Sequence, residues 1–246
     1  MGVVRLVTFD FWQTLFADTP DGFACAQALR LAGVREALAR AGRLYDAPAL
    51  EAADTRALAA LRAIWNAHRD VAPGEQVRIL LEGIDPALPP ALTPAEREAV
   101  EAAYASPVLT HPPLVSPGAV EAVRALVAQG ITLGVISNTG RTPGTMLRRL
   151  LARAGIVEGF RVFSFSDEVG ARKPAAEIFL RTLAAAGAAP GAALHVGDDA
   201  QADIGGARAV GMRAAHYLPD GRPGGVASDA VVRHFAELPA VLARLG

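Results

Sequence analysis

A mostly apolar run, Val3 to Phe9, climbs to a single carboxylate, Asp10, and then breaks. A short run bounded this way predicts a buried strand over 3–10. Open α/β sheets place their chemistry just outside the carboxyl ends of their strands. Asp10 is therefore a candidate nucleophile. Alone it could equally cap a turn, so its meaning depends on what the rest of the chain brings to it.

The texture then changes. From about Asp21 to Tyr104 the chain is rich in alanine, leucine and arginine at helical spacing. Leu31, Val34 and Leu38 mark one helix that Gly42 can end. Asp46 and Pro48 can start a second, carrying Leu58, Leu61 and Trp65. Thr93-Pro94-Ala95-Glu96 is a capping-box pattern. After Ser116-Pro117, which can open another helix, strands and helices alternate. Strands are expected at 131–136, 161–165, 193–196 and 213–217, and helices at 143–154, 174–186 and 203–210, with a last helix from Ala236. Ser166 to Arg172 reads as a polar loop, and Pro219 to Gly225 as a mobile one. Such alternation predicts an α/β fold, a Rossmann-like, doubly wound, mostly parallel sheet with an inserted all-helical segment. The expected division is a core of 1–18 and 108–246 and a helical domain of 19–107.

Composition excludes several classes. No apolar run reaches the ~18 residues of a membrane helix, and the first residues lack the pattern of a secretion signal. A net charge of −1 offers no steering toward nucleic acid or anionic membrane. Cys25 is the single cysteine, which excludes an internal disulfide, and it reads as a small buried hydrophobe. A cytoplasmic protein, monomer or homodimer, is expected. Of 24 basic residues one is a lysine, Lys173. Either drift left one lysine, or Lys173 does what a planar guanidinium cannot: it is a compact charge with three movable donors.

Four polar clusters end elements that the fold would gather on one edge: Asp10 with Thr14, Ser137-Asn138, Lys173, and Asp198-Asp199 with Asp203. Two carboxylates at neighbouring strand ends repel unless a hard cation lies between them, and Mg²⁺ is commonly held by one or two carboxylates plus phosphate oxygens. Ser137 and the amides after it can bind an anion at a helix start. Lys173 adds positive charge. Together they suit phosphoryl chemistry with a carboxylate nucleophile.

These clusters, in this order, resemble the four motifs of the haloacid dehalogenase superfamily, in its subclass with a helical cap. The resemblance covers the whole expected core. It implies Asp10 as nucleophile and metal ligand, the backbone carbonyl of Trp12 and Asp198 as further Mg²⁺ ligands, Thr14, Ser137, Asn138 and Lys173 as holders of the phosphoryl group, and Asp199 or Asp203 as support. It implies a small phosphorylated substrate.

One position departs from the pattern. The family's phosphatases usually carry an aspartate, the general acid/base, two residues after the nucleophile; here stands Trp12, whose indole cannot exchange a proton in that role. General acid/base help is worth roughly 10²–10⁴ in rate. A phosphohydrolase acting on a substrate with a good leaving group answers this. A 2-haloacid dehalogenase-like hydrolase is an alternative, since halide leaves without a proton, although Asp198 and Asp199 crowd the site with negative charge. A weakly active or inactive relative that binds a phosphorylated ligand is another. His195, inside a strand, reads as a core histidine. Trp65, His68 and Arg69 read as one helical face, and Arg141 as a candidate for a substrate anion.

Overall fold

The computed structural model describes residues 3–219, 221 and 227–246. Its strands are β1 (Leu6–Phe9), β2 (Phe16–Ala17), β3 (Leu114–Val115), β4 (Thr132–Ser137), β5 (Val162–Phe165), β6 (Ala193–Gly197), β7 (Arg213–Tyr217) and β8 (Ala230–Val232). Six of them form one parallel sheet in the order β5-β4-β1-β6-β7-β8. β1 lies at its centre, Leu6 facing Thr132 on one side and Ala193 on the other. The chain winds outward from β1 in both directions, so the crevice at its carboxyl end is the topological switch point.

Period-two alternation sends β1 into two cores. Val7 and Phe9 join Val135 and Val196 under helices Ala119–Ala128, Gly144–Arg153 and Leu238–Leu245. Leu6 joins Ile136, Ala193 and Ala214 under helix Ala176–Ala186, with Ile178, Phe179 and Ile204. A sheet covered on both faces explains why its strands are apolar along their length.

The helical insert contains α1 (Pro20–Arg40), α2 (Ala47–Asn66), α3 (Pro73–Ile84) and a further helix, Pro94–Ala105. Asp46 caps α2 by accepting from the Ala49 N–H, and the Thr93–Glu96 capping box is complete. The insert has its own core, including Val34, Leu38, Leu50, Val77, Leu80, Val100 and Tyr104. It leaves and returns through the antiparallel pair β2–β3, a two-stranded stem braced by Phe11 stacked on Phe16 at 4.5 Å.

Several local expectations are corrected. Ser116 does not cap a helix through its side chain; helix Ala119–Ala128 starts after Gly118, whose φ of +80° needs no Cβ penalty. The expected polar loop 166–172 contains a helical turn, Ser166–Val169. The helix expected from Asp203 begins three residues earlier as a π-turn, Ala200–Gly205, capped by Asp199. Strands β2, β3 and β8 escaped the sequence because each is only two or three residues long. Cys25 is half-buried rather than buried. α2 ends at Asn66, and His68 turns at a φ of +56°, so Trp65, His68 and Arg69 share no helical face. The loop expected at 219–225 falls, apart from Pro219 and Gly221, outside the described residues. Among the described residues no helix is long and apolar enough to cross a membrane.

Two sets of contacts bind insert to core. Arg141, in the loop after β4, forms a buried two-pronged ion pair with Asp54 of α2, and its Nε donates to the Tyr104 hydroxyl at 3.1 Å. Arg30 and Arg141 flank the Tyr104 ring at 5.1 and 5.3 Å. Further along, Asp70 accepts from Ser166 at 2.6 Å and from Arg172 at 2.7 Å. Removing one partner of a buried pair strands the other charge. Asp54→Ala should therefore lower unfolding free energy by ~3–5 kcal/mol in denaturant titration. The double variant Asp54→Ala/Arg141→Met should recover part of that loss, because no lone charge remains.

Candidate active site

The sheet order sets the site. β4 and β6 flank β1, so the residues that end these three strands share one crevice. Lys173 reaches it from the segment after β5. Its Nζ donates to Asp10 Oδ1 at 2.7 Å, to Asp203 Oδ1 at 2.5 Å and to the Ile136 carbonyl at 2.8 Å. An ammonium has three hydrogens, and all three are engaged. Lys173 is 4% exposed and Asp10 7%. Burial opposes the ammonium, but Asp10 and Asp203 outweigh it and hold the Lys173 pKa above its ordinary value.

The carboxylates are crowded. Asp10, Asp198 and Asp203 each offer an oxygen within 4.8 Å of the others. Burial pushes the Asp10 pKa up to about 7, against the lowering pull of Lys173. Burial and the charge of Asp203 push Asp198 up to about 6. Asp203 is driven the other way: despite burial, Lys173 and His195 hold it well below the carboxylate range.

Asp203 and Asp199 divide two roles that the sequence left joined. Asp203 Oδ1 meets Lys173 and His195, and Oδ2 accepts from the Asp199 N–H at 2.9 Å. Asp199 Oδ1 accepts the Gln201 and Ala202 N–H groups, which caps the π-turn and aims this carboxylate at backbone. His195 is a fully buried core histidine, as expected, but it also touches the site. Its Nε2 lies 3.0 Å from Asp203 Oδ1 and its Nδ1 2.8 Å from Thr8 Oγ1. Burial lowers its pKa. The neutral ring thus donates from Nε2 to the carboxylate and accepts from Thr8 at Nδ1. Position inside an apolar strand gave no hint of this link, because β1 supplies Thr8 from 187 residues away.

Asn138 is corrected by its geometry. Its side-chain amide forms two bonds with the Lys173 backbone, Nδ2 to the carbonyl at 3.0 Å and Oδ1 from the N–H at 2.8 Å. That amide positions the lysine, with one of its two N–H donors and its oxygen engaged by the Lys173 backbone. Arg141, considered for a substrate anion, is committed to Asp54. Thr14 and Ser137 behave otherwise. Both are fully buried, and the hydroxyl of each lacks a hydrogen-bond partner among the described residues. Orphaned buried hydroxyls are uncommon and call for an occupant.

The donor set fits a hard divalent cation. Three carboxylates face one ammonium, and His195 is neutral, which leaves local negative charge uncompensated. Asp203 already accepts three hydrogen bonds from the protein, whereas Asp10 has one oxygen outside the Lys173 bond and, among the described residues, the Asp198 carboxylate meets its own backbone N–H. All three could offer an oxygen to a metal, and Asp10 and Asp198 are the less engaged pair.

Beside this cluster, Trp12 is half-buried, its ring set edge-on to Phe11 at 5.1 Å. It lines a cavity of about 360 Å³ between insert and core, together with Asn138, Arg141 and residues of α1 and α2. Phe23, Arg62 and His111 also line it, and sequence reasoning singled out none of them.

Known proteins agree with this arrangement. A sequence model described as haloacid dehalogenase-like hydrolase matches residues 4–211. A phosphoserine phosphatase of Thermus thermophilus is 31% identical over 229 residues, covering 86% of this chain and 87% of that protein. A ribulose-1,5-bisphosphate 5-phosphatase of Halopiger xanaduensis is 33% identical over 126 residues, and this match spans 51% of each chain, about half the length of that relative. Among solved structures, a 2-haloacid dehalogenase from Pseudomonas syringae superposes with a TM-score of 0.73 at 27% identity, over 99% of this chain and 100% of that one. With a family match over most of its length and the family's four clusters on one sheet edge, the chain belongs to the haloacid dehalogenase-like hydrolases.

Proposed function

We propose that this chain is a Mg²⁺-dependent phosphohydrolase that works through an aspartyl-phosphate on Asp10. One observation carries the reading: three carboxylates within 4.8 Å share a single ammonium, an arrangement suited to a divalent cation and an incoming phosphoryl group rather than to a bare haloacid carboxylate. The orphaned hydroxyls of Thr14 and Ser137 supply donors for phosphoryl oxygens. The phosphatase-named relatives point the same way.

Asp10, Asp198 and the Trp12 backbone carbonyl are the ligands proposed for the metal. When bound, it neutralises carboxylates and phosphoryl oxygens as a Lewis acid. The residues of the chain do the rest. One Asp10 carboxylate oxygen attacks phosphorus while the other stays with Lys173 and is the one proposed for the metal, and the bond to the leaving oxygen breaks with its electron pair departing on that oxygen. Lys173, locked at three points, holds positive charge beside the reacting carboxylate without reorganising. Water then adds across the phosphorus–Asp10 bond, its hydroxyl going to phosphorus and its proton to the phosphate. The helical insert, 19–107 in the proposed division, covers the crevice as a cap and limits water. Trp12 cannot protonate a leaving oxygen, so leaving groups stable as anions, acyl or aryl oxygens, are favoured.

A second reading, C–halogen hydrolysis by Asp10, is favoured by that same absence of an acid and by the likeness to the Pseudomonas dehalogenase. Phosphate release from ester and acyl phosphates that stops in EDTA supports the phosphohydrolase. Halide release from 2-haloacids that survives EDTA overturns it.

Asp10→Asn should reduce phosphate release by at least ~10³-fold, because no nucleophile remains, while melting stays cooperative. The elevated pKa values have a signed consequence. An acid whose folded pKa lies above its unfolded 3.8 binds protons more tightly when folded, so metal-free stability falls as pH rises from about 4 toward about 7, the window set by Asp10 and Asp198. Mg²⁺ competes with those protons. Its stabilising effect, read by thermal melts, should therefore grow between about pH 5 and about pH 7.5, and should vanish in Asp10→Asn/Asp198→Asn.

A series of substituted phenyl phosphates examines the acid directly. Without protonation, log kcat should fall steeply as leaving-group pKa rises. Trp12→Asp should flatten that slope and raise turnover of alkyl phosphates by roughly 10-fold or more. An unchanged slope would show that position 12 has another purpose.

A further inference from the structure

The cavity beside Trp12 has a chemistry that its walls define. Leu58, Arg62 and Trp65 stand at positions i, i+4 and i+7 of α2, and Phe23, Ala26 and Arg30 at i, i+3 and i+7 of α1. Each set is one helical face. The two faces roof the cavity, and the core loop from Asn138 to Thr142 forms its floor. Asn138 clamps the backbone of Lys173, whose Nζ touches Asp10, so the floor begins at the reacting cluster.

Three aromatic rings face this space, and two are fixed before anything binds. Trp65 donates from Nε1 to Asp70 at 3.0 Å and is covered by the Arg172 guanidinium at 4.9 Å. Trp12 rests against Phe11. Phe23 is 61% exposed, a large apolar side chain open to the cavity. The cations differ in their freedom. Arg30 donates to the Tyr104 carbonyl and Arg141 is paired with Asp54. Arg62 makes no hydrogen bond or ion pair among the described residues, and it stands one helical turn from Trp65. The carboxylate on this wall, Asp18, accepts from the Thr19 N–H. A volume of about 360 Å³ suits one ring with a substituent, the small end of ligand pockets.

We infer that the group leaving phosphorus is a single aromatic ring bearing an anionic substituent, stacked among Trp12, Phe23 and Trp65 with its anion on Arg62. This rests on the phosphohydrolase reading and names its substrate class. An aromatic oxygen also leaves without a proton, which agrees with an indole at position 12. Arg62 recognises a carboxylate through paired N–H groups, and a neutral isostere forfeits that charge-assisted bond. Phe23 and the indoles favour a flat π-face over a puckered ring of equal area.

Phosphonates with a carbon link to phosphorus test binding without leaving-group chemistry. In calorimetry with Mg²⁺ present, 4-carboxybenzylphosphonate should bind about 10-fold tighter than 4-carbamoylbenzylphosphonate. Arg62→Met should shrink that ratio to about 3-fold or less. Benzylphosphonate should bind more tightly than cyclohexylmethylphosphonate, and Phe23→Ala, at an exposed position that folding does not need, should narrow the gap. Equal binding of the acid and amide, or a ratio untouched in Arg62→Met, overturns the inference, as does failure of every phosphonate to bind. The phosphohydrolase reading fails separately, if no phosphate ester or acyl phosphate is turned over with Mg²⁺. Turnover without the binding preferences leaves that reading intact and removes only this one.

Discussion

The ammonium of Lys173 is the point at which the separate parts of the core become one site. It joins the end of β1 through Asp10, the end of β4 through Ile136, and the turn after β6 through Asp203. A guanidinium could not replace it. Its donors lie in one plane and point as a fork, whereas the three acceptors here belong to three elements around one nitrogen. A chain that uses arginine for its other cationic positions keeps its one lysine where a compact, three-way charge is required. The arrangement costs desolvation of three charged groups, and it holds because each hydrogen of the ammonium has a named acceptor.

Around that point, the polar groups divide the work without overlap. Asn138 fixes the Lys173 backbone. His195, held neutral and oriented by Thr8, fixes Asp203. Asp203 in turn receives the Asp199 N–H, and Asp199 uses its own carboxylate to close the π-turn. Gly197 is part of the same packing: a Cβ there would meet the Asp203 carboxyl carbon at 2.2 Å, so that turn needs glycine. Three hydrogen bonds tie Asp203 into the frame, while Asp10 and Asp198 are less engaged by the protein.

The legible part of the fold was the part written locally. Apolar runs ending in polar residues located β1, β4 and β6, and the order of clusters put Asp10, Ser137, Lys173 and Asp198 on one edge. Capping chemistry at Asp46 and Thr93 is decided within four residues, and both caps are present. What stayed hidden was written between distant segments. An asparagine amide beside a phosphate motif looks like an anion donor; only the fold shows that the Lys173 backbone occupies it. Arg141 follows the second motif closely, yet its partner is Asp54, 87 residues away. The strands β2, β3 and β8 are too short for any period to emerge. Asp199 and Asp203 could not be told apart because the π-turn, with its extra residue, rotates them onto different tasks.

Trp12 gains its meaning from the insert rather than from the core. Seen along β1, it is a missing acid. Seen across the cavity, it is one of three aromatic walls, the other two delivered by α1 and α2 on a single two-stranded stem. The latches at Arg141 and Asp70 fix the insert against the loops that carry Asn138 and Lys173, so the walls keep a set distance from the reacting cluster. A side chain at position 12 touches both halves. If it holds a proton, it serves the leaving oxygen. If it is an indole, it serves the body behind that oxygen. In the proposed reaction the same residue couples the leaving group's chemistry to its shape: without the acid the departing oxygen leaves as an anion, and an aromatic ring would supply both that oxygen and the surface Trp12 packs against.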